Sequence, residues 1–141
     1  MAKHKTVQDV MTPDPITLPL SAPLIDAAKM MRDVGIGDVV VVDGDEVLGI
    51  VTDRDIVVRG IADGCDAQST ALIDICSREL TTVSPDDQVG TAVRLMRENA
   101  IRRLPVVARG RPVGIVTLGD LALEQDRGSA LADVSAAPPN L

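Results

Sequence analysis

Leu24, Ala27, Ala28 and Met31 recur at positions i, i+3, i+4 and i+7, the spacing of one face of an α-helix. Val89, Ala92, Val93 and Met96 repeat that spacing further along the chain. After each helical stretch the period changes. DVVVVDGDEVLGIV, from Asp38, is two β-branched runs separated by Asp-Gly-Asp-Glu, which predicts a hairpin. Its later counterpart, RLPVVARGRPVGIV, carries Pro105 and Pro112, and these favour strand starts or sheet edges because proline has no N–H for the ladder. A short helical turn around Val7 and Met11 leads into DPITL, an extended piece bounded by prolines. A last helix is predicted just after Thr52, and another just after Thr117.

Sliding the chain by 65 residues lays 7–60 over 72–125 without a gap. About a dozen of roughly fifty pairs are identical and many others exchange one aliphatic for another, the mark of an internal duplication. The same Gly-apolar-apolar-Thr-x-x-Asp string closes both hairpins, as GIVTDRD ending at Asp55 and GIVTLGD ending at Asp120. The predicted fold is therefore α/β, with two tandem β-α-β-β-α repeats. The boundaries expected are 1–62 for the first repeat with its N-terminal helical turn, 63–70 for a polar linker, 71–126 for the second repeat, and 127–141 for a disordered tail without periodicity. A single copy is near the lower size limit for a stable core. Two copies packed sheet to sheet about a pseudo-two-fold axis, as one module, would remove that difficulty.

Composition narrows the functions available. The 141 residues include no Phe, Tyr or Trp, so no base can stack on an aromatic ring, and the formal charge of −7 disfavours phosphate backbones; nucleic acid is not an expected partner. No stretch reaches the length of a membrane span and no apolar run opens the chain, which reads as cytoplasmic. His4 is the only histidine, and Cys65 and Cys76 do not form CxxC, so neither a histidine-based triad nor a metal site is expected. No nucleophile, base and orienting group converge, and the chain is read as a non-enzyme.

The tandem repeat, the doubled Gly-h-h-Thr-x-x-Asp string and RRLPVV before the second hairpin together resemble a cystathionine-β-synthase (CBS) domain pair of the free-standing bacterial type. The likeness runs from Val7 to about Gln125. It implies a regulatory module that holds an adenosyl ligand (AMP, ADP, ATP or S-adenosylmethionine) in clefts between the repeats, needs no cofactor and dimerises with itself. Carried over by motif position, Asp55 and Asp120 would accept hydrogen bonds from ribose hydroxyls, and Thr52 and Thr117 would lie near ribose or phosphate. Ile16 and Thr17 with Val39 and Val40, and Thr81 and Thr82 with Leu104 and Pro105, would frame the adenine. Arg102 and Arg103 would meet the phosphate. A carboxylate can accept from both hydroxyls of a vicinal diol, so the chemistry is coherent.

A plainer reading competes. Thr-x-x-Asp ahead of a helix is a capping box in all but the length of its carboxylate. Capping alone would keep both residues, and Gly49 and Gly114 would be kept for close backbone approach or a bulge. On that reading the chain is a ligand-free dimeric scaffold for an unidentified protein partner. The two repeats also differ in charge. Residues 7–60 carry four basic and ten acidic side chains, whereas 72–125 carry seven of each. Arg102 and Arg103 correspond to Gly37 and Asp38, so two equally anionic ligands are not expected to bind alike.

Overall fold

A computed structural model describes residues 5–77 and 80–125, together with 134, 136 and 137. The expected tail, 127–141, lies outside the described residues apart from those last three. The chain forms two compact units, each with one three-stranded sheet covered by helices.

The first unit spans Ile16–Leu80. Strands β2 (Thr17–Pro19), β3 (Asp38–Asp43) and β4 (Glu46–Thr52) lie in the order β2-β3-β4, parallel across β2 and β3 and antiparallel across the hairpin. Gly44 makes the hairpin turn at φ 61°. Helix α2 (Leu24–Val34) presents the predicted face, and its Leu24 and Ala27 join Val39, Val41 and Val51 in one apolar cluster. Pro23 at its N-cap offers no side-chain acceptor. The Leu24 and Ile25 N–H groups donate instead to the Thr70 and Ala67 carbonyls at 2.8 and 2.9 Å. The supposed linker thus completes the helix terminus, whose first N–H groups have no partner within the helix.

The second unit joins the described residues of Met1–Pro15 to those of Thr81–Pro138. Its sheet runs β1 (Thr12–Pro13), β6 (Arg111–Thr117), β5 (Arg103–Ala108). Helix α5 (Val89–Asn99) buries Val89, Ala92 and Met96 against Leu104, Val106 and Val116. The Lys5 carbonyl accepts from the Val89 N–H at 3.3 Å, repeating the role of Thr70.

The units therefore cut across the sequence boundaries expected at 1–62 and 71–126. Helix α1 (Val7–Val10) and β1 open the first repeat in sequence but pack in the second unit, where Thr12 pairs with Ile115. Helix α4 (Leu72–Ile75) and Ser77 belong in turn to the first unit, where Ser77 bridges to Ile50. The reason lies in the sheets, since each hairpin's second strand has an open edge that one short segment fills. The same 65-residue offset relates both pairings.

Pro105 sits third in β5, inside the strand rather than at its start, but β5 is an edge strand of its sheet, the other placement expected for it. It is tolerated because its carbonyl, and so the side where its N–H would be, faces Val83 rather than β6; the Val83 N–H donates to the Pro105 carbonyl at 3.1 Å. The cost shows on the far side. In the first unit the Val40 N–H donates to the Ile16 carbonyl at 3.0 Å and β2 pairs over three residues. Pro105 stands where Val40 does and cannot donate, and the pairing shrinks to the single Val83–Val106 bridge.

Candidate ligand-binding site

Both Thr-x-x-Asp strings form the capping box in full. Thr52 ends β4 in extended geometry and caps α3 (Asp53–Asp55). Its N–H donates to Asp55 Oδ2 at 2.9 Å, and the Asp55 N–H donates to Thr52 Oγ1 at 3.1 Å. Thr117 and Asp120 reproduce both distances at the start of α6 (Leu118–Gln125). A cap of this kind contributes about 1 kcal/mol. The aspartate carboxylate is thereby held by one oxygen, which fixes where the other points.

The second oxygens have different surroundings. Asp55 Oδ1 lies 3.9 Å from Arg59 Nε, one turn along the same helix. That stretch, Ile56–Ile61, is wound as a π-helix, and the Ala62 N–H bonds back to the Val57 carbonyl at 2.9 Å. At the position of Arg59 the other repeat has Glu124, which pairs with Lys5 at 2.6 Å. Among the described residues no hydrogen bond or ion pair reaches Asp120 Oδ1. Asp120 borders an open depression of about 350 Å³, lined also by Asp9, Val10, Leu123 and Glu124.

The other sequence-predicted residues distribute by strand alternation. Thr17 pairs with Val40 across β2 and β3, beside Ile16. Val39 and Leu104 are fully buried in the apolar clusters that face the helices, so only their backbone is left for a ligand. Val40 and Pro105 point to the opposite faces of their sheets, as alternate residues must. Thr81 and Thr82 lie partly buried beside Val83, which bridges β5. Arg102 is exposed, and its carbonyl accepts from the Leu118 N–H at 2.9 Å. Arg103 pairs directly with Thr117 across the hairpin, and Asp38 pairs with Thr52 in the same way.

Two features of the site escaped the sequence reading. Arg59 was legible as an i, i+4 partner of Asp55. The part played by Asp9 and Lys5 was not, because it depends on α1 packing far from its place in the chain. Among the described residues no group of His, Cys, Asp and Glu is arranged to hold a metal ion, and no helix is long and apolar enough to cross a membrane.

Comparison with known proteins gives a consistent picture. The family model described as CBS domain matches residues 7–60 and again 72–126. The CBS domain-containing protein YhcV of Bacillus subtilis is 38% identical over 134 residues, covering 92% of this chain and 95% of its own. The solved structure of Hypoxic Response Protein I, which has two coordinated zinc ions, superposes with a TM-score of 0.78 at 32% identity, over 84% of this chain and 97% of that one. The hexameric CBS-CP12 protein from bloom-forming cyanobacteria superposes with a TM-score of 0.79 at 29% identity, over 89% of this chain and 71% of that one.

Proposed function

The chain belongs to the CBS-domain family, and from that premise we propose that it is a regulatory module which binds an adenosyl ligand such as AMP, ADP, ATP or S-adenosylmethionine. The observation that carries this reading is the carboxylate of Asp120. One of its oxygens is fixed by the Thr117 N–H, and the other takes no partner among the described residues. A carboxylate held in one orientation, with its other oxygen bordering an open depression, suits the hydroxyls of a ribose. The chain acts by binding, without turnover and without a resident cofactor, and a protein partner reads the bound state.

Self-association belongs to the same proposal. Val57, Val58 and Ile61 stand 56%, 44% and 67% exposed on the π-helix, an apolar cluster that a second copy would cover. The hexameric relative supports assembly from such modules. A second reading also has an observation behind it: the capping boxes account for both Thr and Asp without any ligand, as a scaffold would need. Titration calorimetry of the full chain with the four adenosyl ligands at millimolar concentration separates the two readings. Heat from at least one supports the sensor, and none from any leaves the scaffold. Sedimentation should show a dimer, and a monomer at all concentrations would remove the self-association.

A further inference from the structure

We infer that two copies of the chain associate by exchanging their N-terminal arms. Residues 5–13 of one copy dock onto the second unit of the other, and the depression beside Asp120 is then built from both. The arm, α1 with β1, enters that unit as part of its core and its sheet. Val7 is fully buried there, and Thr12 pairs with Ile115 along β6. The Val7 and Gln8 N–H groups donate to the Asp87 and Pro85 carbonyls at 2.8 and 3.0 Å. Yet the arm's covalent tie to these partners runs through the whole first unit, Ile16–Leu80, which separates them in sequence. An identical arm from a second copy offers the same contacts.

The docked contacts are the same in either case, so the hinge decides between them. It reads Pro13-Asp14-Pro15. Each proline ring holds φ near about −65°, and the bend falls on Asp14, which is exposed and left-handed at φ 54°. That region is unfavourable for an L-residue, and a residue ahead of proline prefers extended backbone. Exchange lets Asp14 extend, and a reciprocal pair relieves two such residues at once. Short hinges under strain favour this outcome. The first unit has no such choice, because α4 follows it directly in sequence and the Ala67 and Thr70 carbonyls on the way are bonded to Ile25 and Leu24. Asp9 and Val10 line the depression that Asp120 borders, so exchange carries residues of one copy into the candidate site of the other. The inference stands apart from the adenosyl reading and from the apolar cluster of Val57, Val58 and Ile61.

Mixed copies of the full chain test the exchange. One variant carries Thr12→Cys and another Ile115→Cys, both with Cys65→Ser so that the exposed native thiol takes no part. Directly paired antiparallel residues have α-carbons about 5 Å apart, within reach of a disulfide. The two variants are unfolded together, refolded at high protein concentration and oxidised. A disulfide from position 12 of one copy to position 115 of the other is expected, identified by peptide mass spectrometry. No such link, while a single chain bearing both cysteines closes its own, would overturn the exchange. Sedimentation of Asp14→Gly gives a second reading that leaves every docked residue in place. Removing the strain from each hinge should weaken the dimer by about tenfold or more. A dimer unaffected by Asp14→Gly would also overturn the exchange and leave the apolar cluster as its source. Neither result touches the adenosyl reading, which calorimetry decides.

Discussion

A β-carbon built on Gly49 would lie 2.5 Å from the carbonyl oxygen of Ser77. The echo in the other unit is a β-carbon on Gly114, 2.9 Å from the Thr12 carbonyl oxygen and 2.5 Å from Met11 Sδ. In both cases the glycine lets the edge segment come close enough to pair with the hairpin, so the motif's first residue is explained by backbone approach. At Gly49 the nearest obstacle is a backbone atom, which cannot swing aside; at Gly114 the Met11 side chain can move, but the Thr12 carbonyl oxygen behind it cannot. Gly49→Ala and Gly114→Ala should each cost about 1–3 kcal/mol, the range for an overpacked core, as read by urea denaturation. Either variant matching the parent in stability would show that the edge segment yields freely.

Much of this architecture could be read in advance. The face Leu24, Ala27, Ala28, Met31 became α2, the Asp-Gly-Asp-Glu break became the β3–β4 turn, and both capping boxes formed at the expected residues. Local patterns encode local structure, and a repeat confirms each pattern twice. The allegiance of α1 and β1 was not legible, because Thr12 finds Ile115 across most of the chain and its own sequence does not name that partner. The charge difference between the sites could be counted from composition. Its placement beside Thr52 and Thr117 needed the strand register.

Opposite substitutions at two helix positions should both stabilise the protein. Ala100 ends α5 in the left-handed region at φ 52°, where the first repeat has Gly35 at φ 75°. That conformation costs a non-glycine residue roughly 1–2 kcal/mol, so Ala100→Gly should gain about 0.5 kcal/mol after the added flexibility of the unfolded chain is deducted. Gly90, in the first turn of the same helix, is exposed and has open space around its missing side chain. Gly90→Ala should gain about 0.5–1 kcal/mol from helix propensity. Thermal denaturation reads both, and a loss of stability in either would contradict the backbone geometry at that residue.

The two thiols should differ sharply in accessibility. Cys65 is exposed, whereas Cys76 is 6% exposed within the first unit's apolar cluster. A thiol reagent should titrate one cysteine in the native protein and both in denaturant. Fast native reaction of both would place Cys76 outside the core.

The last prediction separates cap from ligand contact at the doubled motif. A capping box accepts glutamate as readily as aspartate at its third helical position, because the longer carboxylate still reaches the cap N–H. Asp120→Glu should therefore leave stability within about 0.5 kcal/mol of the parent, whereas Thr117→Ala should lose about 1 kcal/mol with the cap itself. A ribose clamp is less forgiving. Asp120 Oδ1 is aimed by the bond that Oδ2 makes to the Thr117 N–H, and one more methylene moves that oxygen by more than a hydrogen bond tolerates. Asp120→Glu should weaken an adenosyl ligand by about tenfold with the fold intact, a charge-assisted bond's share of the affinity. Unchanged affinity in a stable Asp120→Glu variant would make the motif a cap alone.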